Sequence, residues 1–191
     1  MGWFTYRREH AEQLPVVVTA IENYGRVYRL LKANVPVTIE MDVETEFTGD
    51  HEHGFDTIAE IPGTDPKQYM TNYVEFTDRA LPAIQDPIQK SDPRIVFCVA
   101  WARGGYLPTH NPNYRLPQGK DPVWNNANCR NRRIFNDRTV KKVAANTKPF
   151  LLQTYRRDMG GGNFVLMKDV SSPILVRGRH WGAFRMGFRQ S

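Results

Sequence analysis

"PFLLQTYRRDMGGGNFVLMKDVSSPILV", residues 149–176, sets two runs of large apolar, aromatic and β-branched residues on either side of MGGGN, residues 159–163. Three glycines in a row let the chain reverse at little steric cost, so the stretch predicts a flexible hairpin between two antiparallel strands. A third run of the same kind, RHWGAFRMGF (179–188), closes the chain after the turn VRGR.

Working back, RIVFCVAWA (94–102) is a β-branched and aromatic strand. Gly104-Gly105 turns it, and a short strand or loop runs through Pro108. Residues 112–127 are rich in Pro, Asn and Gly and predict a loop. CRNRRIFNDRTVKKVAAN (129–146) predicts a basic helix with Phe135, Val140, Val143 and Ala144 inward, stopped by Asn146 and Pro149. From residue 94 the order is strand, strand, helix, strand, strand, strand. That order implies an α+β fold, an antiparallel sheet with helices packed on one face. There is no βαβ alternation, no GxGxxG after a strand, no P-loop and no internal repeat.

The first half has other signals. PVVVTAIENYGRVYRLLKA (15–33) carries apolar side chains at 17, 20, 21, 24, 27, 28 and 31, one face of a helix with Pro15 in its first turn. The stripe is narrow enough for a coiled-coil seam, so a homodimer through residues 15–33 is expected, packing on its own domain being the other reading. VPVTIEMDVETEF (35–47) alternates Val37, Ile39, Met41 and Val43 with polar and acidic residues, the period of a half-exposed strand. His51 and His53 follow in a turn, but two histidines without a fixed third ligand do not make a metal centre. In IPGTDPKQYMTNYVEFTDRALPAIQDPI (61–88), Asp65 is placed to cap a helix and Pro66 to open it. Tyr69, Met70, Tyr73, Val74, Thr77, Ala80, Leu81 and Ile84 would share one face, with Pro82 and Pro87 bending or ending the helix.

At 191 residues the chain is long enough for a sizeable core, divided here into an extension over 1–54 and a main domain over 55–191. No apolar run approaches the ~20 residues of a membrane span, and the first residues lack the apolar stretch of a signal peptide, so a cytoplasmic location is expected. Two cysteines, Cys98 and Cys129, are no disulfide scaffold.

The net charge of +6 is unevenly spread. Residues 1–113 hold 10 Lys+Arg against 16 Asp+Glu, whereas residues 114–191 hold 16 against 4. A basic half suits nucleic acid, an anionic small molecule or an acidic surface. Nucleic acid is not favoured, because the Gly-aromatic strand motif of RNA-binding sheets is absent. Catalysis is not favoured either. Cys98 sits mid-strand among apolar residues, Cys129 gains only a neighbouring arginine that could lower its pKa, and no context around His110 matches a hydrolase.

An antiparallel sheet with a helix over it leaves a concave site between them. The glycine turn would aim Tyr106, His110 and Asn111 at that site. Arg130, Arg132 and Arg133 would reach it from the helix start, and Tyr155, Arg156 and Lys168 from the strands. Arginine offers a planar fork for carboxylate or phosphate, so a small anionic ligand is expected, with no metal and no cofactor.

GYLPTHN (105–111), NCRNRRIFNDR (128–138) and TKPFLLQTYRRDMGGGNFVLMKDVSSPILVRGRHWGAFRMGF (147–188) together resemble the Cache (PAS-like) sensor domain at the C-terminal end of some bacterial methyl-accepting chemotaxis proteins. IPGTDP and DPRIVFCVA fit the same pattern, so the resemblance covers roughly residues 55–189. It implies a PAS-like five-stranded sheet and a ligand-sensing role in chemotactic signal transduction, with a chemoreceptor signalling domain or kinase complex as partner. The family's acid after the first strand is replaced here by Ala102, and the methylated helical hairpin is missing. An excised domain or stand-alone sensor is therefore expected. The remaining readings are a ligand-free dimerisation or docking module, binding of RNA or another anionic partner through the basic half, and a haem held by His110 or His180.

Overall fold

The computed structural model describes residues 3–5, 40–42, 58–148, 151–176 and 179–189. The helix expected over 15–33 and the His51–His53 turn lie outside the described residues. Of the strand expected over 35–47, β2 (Glu40–Asp42) is present, paired antiparallel with β1 (Trp3–Thr5). The chain continues through β3 (Ile58–Glu60), β4 (Tyr69–Thr71), α1 (Val74–Ala80), α2 (Pro82–Lys90), β5 (Ile95–Ala102) and β6 (Tyr106–Leu107). A 3-10 turn (Pro112–Tyr114), α3 (Pro122–Asn128), β7 (Arg133–Ile134) and α4 (Arg138–Ala145) lead to β8 (Leu151–Asp158), β9 (Phe164–Val176) and β10 (Arg179–Arg189).

The fold is α+β around a four-stranded antiparallel sheet in the order β5-β10-β9-β8. The glycine hairpin forms as expected. Gly160, Gly161 and Gly162 all take positive φ (91°, 59° and 77°), a run that only glycine makes without strain. Asp158 accepts the amide of Gly160, and Met159 N–H donates to the Asn163 carbonyl.

Several expectations need correction. The sheet has four strands, not five. The fifth candidate, β6, leaves β5 at Gly105 and pairs with β7 as a separate two-stranded piece. Helices cover both faces rather than one. Cys98, Ala100, Phe184 and Met186 pack with Tyr73, Leu81 and Ile88 of the α1–α2 side. Phe97, Val99, Trp101 and Met167 point the other way, toward Val140 of α4.

The helix expected to open at Asp65-Pro66 begins only at Val74. Residues 61–68 form the turn of a hairpin, closed by Ile61 N–H to the Gln68 carbonyl and by Thr64, whose hydroxyl accepts the Gln68 amide. Leu81 then separates α1 from α2, with Pro82 at the first position of α2 and Pro87 tolerated inside it.

The basic helix begins at Arg138, not at Cys129. Arg132 has φ 59°, outside the helical region, and its amide donates to the Leu107 carbonyl. Phe135 N–H donates to the Gly105 carbonyl. Residues 132–135 thus satisfy the backbone that follows the glycine turn. Asp137 is the true N-cap, accepting from the amides of Thr139 and Val140. The expected loop over 112–127 contains a helix, α3, capped by Asp121.

Among the described residues no helix is long and apolar enough to cross a membrane.

Candidate functional site

Between the sheet face of Phe97 and Trp101 and the start of α4 lies a cavity of about 530 Å³. Strand alternation builds its floor. Phe97 and Trp101 share a face of β5, Tyr155 and Arg157 share a face of β8, and Arg185 comes up from β10 between them. The roof comes from β7, Phe135 and the first turn of α4.

The lining is cationic. Arg130, Arg133, Arg138, Arg156, Arg157 and Arg185 face it, against Asp137 and Asp158. Both of these acids are already engaged with backbone amides, Asp137 at the cap of α4 and Asp158 at the hairpin.

Arg157 is only 3% exposed. Its guanidinium lies 4.4 Å from the centre of the Tyr114 ring and 5.2 Å from that of Phe97. None of Nε, Nη1 and Nη2 meets an acceptor among the described residues. Burial lowers its pKa. Aromatic faces compensate a guanidinium in part, but they accept no hydrogen bonds in its plane.

Arg185, also 3% exposed, donates through Nε to Asp169 Oδ2 and leaves Nη2 unpartnered. It lies 4.8 Å from the Tyr155 ring centre. Burial raises the Asp169 carboxyl above the usual range, with Arg185 drawing it back.

On the roof, Arg130 and Arg133 both stack on Phe135, at 5.0 and 4.8 Å. Each donates to Asn126, Arg130 to its carbonyl and Arg133 to its side-chain oxygen. Burial is the chief cause that pushes the Arg130 pKa down to about 9 and that of Arg133 to about 10, with Arg157 adding to the shift at Arg130.

His110 is buried against the same cluster. Its Nδ1 accepts the Asn111 amide at 2.7 Å, leaving Nε2 to carry the proton of a neutral ring. Burial first, then Arg157, Arg130, Arg115 and Arg185, hold its pKa well below the ordinary value.

No family model matches the chain, and neither a curated protein nor a solved structure does.

Five of the residues singled out from sequence meet at the cavity: His110, Arg130, Arg133, Tyr155 and Arg156, the last exposed and stacked on Phe164 at 4.8 Å. Four do not line it. Tyr106 is fully buried on the other side, its hydroxyl donating to the Tyr69 carbonyl. Asn111 ties the β5 edge to Asp86, accepting Cys98 N–H through Oδ1 and donating through Nδ2. Arg132 pairs with Asp78 at 2.8 Å. Lys168, on β9, is half-buried away from the cavity.

Sequence reasoning missed Arg157, Arg185, Phe97, Trp101 and Phe135. The signal was the period of two. In TYRRD, Tyr155 and Arg157 must share a face of the strand, while Arg156 leaves from the other side and reaches the cavity only at its exposed rim, against Phe164. In GAFRMGF, Arg185 interrupts a strand that is otherwise apolar or glycine.

The thiols are not activated. Burial raises the pKa of both Cys98 and Cys129, and Cys129 Sγ donates to the Pro117 carbonyl. Among the described residues no three His, Cys, Asp or Glu side chains gather as a metal centre would require.

Proposed function

We propose that the chain is a sensor module that binds a small organic anion in the cavity between the sheet and α4. The observation that carries this reading is Arg157, buried with all three guanidinium nitrogens unpartnered among the described residues. A buried charge without a hydrogen-bonding counterion is costly, and the cost is relieved when an anion enters. The surrounding arginines add to the field, and the aromatic walls on the floor lower the local dielectric in which it acts.

Binding without catalysis fits the same surroundings. His110 has Nδ1 committed to a backbone amide and is held neutral, and neither thiol is a ready nucleophile. The resemblance to the Cache (PAS-like) domain of chemotaxis receptors suggests the use: a ligand that touches both the sheet and the first turn of α4 favours one packing of the two. It can do so only by as much as it prefers that packing.

The test is a thermal-shift titration of the purified protein with small carboxylates and phosphates, run beside Arg157→Met. A ligand at about 100 times its Kd adds ~2.7 kcal/mol, and each kcal/mol moves Tm by roughly 2–4 °C in a domain of this size. A saturating shift that Arg157→Met abolishes supports the reading. A flat response from a cooperatively melting protein overturns it.

A further inference from the structure

Four of the six arginines that line the cavity fall into two sets, each bedded on its own ring. Arg157 and Arg185 lie 5.2 and 5.4 Å from the centre of Phe97 on the floor. Arg130 and Arg133 lie on Phe135 at the roof. Trp101 joins the two, edge-on to Phe135 at 4.9 Å and 5.4 Å from the Arg185 guanidinium. Its indole N–H is buried without a partner among the described residues. The wall between the sets is therefore flat and aromatic, and the unpartnered atoms there are donors.

A single carboxylate can occupy the fork of one guanidinium and leaves the other set uncompensated. A cavity of about 530 Å³ has room for far more than one carboxylate. From this arrangement, and resting on the anion-binding reading above, we propose that the ligand is a dianion with its two acidic groups carried on a planar, unsaturated frame. One group meets Arg157 and the free Nη2 of Arg185. The other meets Arg130 and Arg133. The frame lies along Trp101 between them, where ring contacts favour an unsaturated surface. Arg130 and Arg133, depressed toward 9 and 10 by burial, would regain their ordinary basicity beside the second acid.

The probes are terephthalate, benzoate and trans-cyclohexane-1,4-dicarboxylate, titrated calorimetrically into the whole chain. Terephthalate is expected to bind at least tenfold more tightly than benzoate and than the saturated diacid. Arg157→Met and Arg133→Met are each expected to erase its advantage over benzoate. Arg133 is half-exposed, so its variant keeps the test open if Arg157→Met does not fold. Equal affinity for terephthalate and benzoate overturns the two-ended ligand and leaves anion binding standing. Equal affinity for terephthalate and the saturated diacid overturns the planar frame. Failure of all three probes to bind overturns the proposal together with the anion-binding reading.

Discussion

Gly187 lies directly beneath the Phe97 ring: a β-carbon at position 187 would stand 2.3 Å from Cε1 and 2.4 Å from Cζ. Phe97 carries the guanidinium groups of Arg157 and Arg185 on its faces. The glycine thus sets the height of the cavity floor.

Gly187→Ala is expected to push Phe97 off its position. Overpacking of this kind costs about 1–3 kcal/mol. The variant should melt several degrees lower and bind anions more weakly than the wild type. A variant with unchanged Tm and anion affinity would show that the ring does not need the space.

Among the described residues, Asp169 is the carboxylate paired with a buried guanidinium of the cavity floor, that of Arg185. Asp169→Asn removes the counterion and leaves the arginine charged, at a cost of about 3–5 kcal/mol. Replacing both, as Asp169→Leu with Arg185→Met, should cost much less, because no charge is stranded. Urea unfolding of Asp169→Leu, Arg185→Met and the double variant forms the cycle. Additive losses would mean that the pair is not coupled in the folded protein.

His110 makes stability depend on pH with a definite sign. Its folded pKa is depressed by burial and by Arg157, Arg130, Arg115 and Arg185, so below about pH 6.5 only the unfolded chain takes up the proton. Stability therefore falls with falling pH, by about 1.4 kcal/mol per unit from this residue, until the native ring titrates. His180 is depressed as well, chiefly by burial, and adds a smaller slope of the same sign. In urea unfolding at pH 7.5, 6.0 and 5.0, the gap between wild type and His110→Asn should narrow steadily. A gap that stays constant would be evidence that His110 does not titrate differently in the two states.

Asp137 holds the roof in place through the two amides it caps. Asp137→Ala should cost about 0.5–2 kcal/mol. Asp137→Asn keeps the cap and should restore most of that stability, as read from thermal melts. A roof that depended on the charge rather than on the cap would leave the asparagine variant as weak as the alanine one.

The strands were legible because each carries its own period and its own turn chemistry. β9 spans residues 164–176 as expected, β5 and β10 depart from their expected ranges by one residue each, β8 covers the expected range from Leu151 on, residues 149–150 lying outside the described residues, and the end of α4 falls at Asn146. What misled was competition at longer range. Residues 129–135 have the composition of a helix start, yet the Leu107 and Gly105 carbonyls offer partners that a local pattern cannot show. Tyr69–Thr71 looked helical beside Tyr73 and Val74, yet pairs with Ile58–Glu60, whose position sequence spacing does not reveal. The candidate site was half legible for the same reason. Arginine chemistry pointed to an anion, and strand alternation, not proximity to the glycine turn, decided which arginines face it.

Gln85 and Asn111 have a consequence for how the protein meets copies of itself. Their side-chain oxygens accept the outward amides of Ala100 and Cys98 along the free side of β5. A strand arriving from another molecule would have to displace both before it could zip on. Growth of the sheet into a fibre is blocked at that margin by two amide side chains rather than by charge or proline. Substituting Gln85 or Asn111 would unseal the margin and expose the chain to edge-to-edge polymerisation.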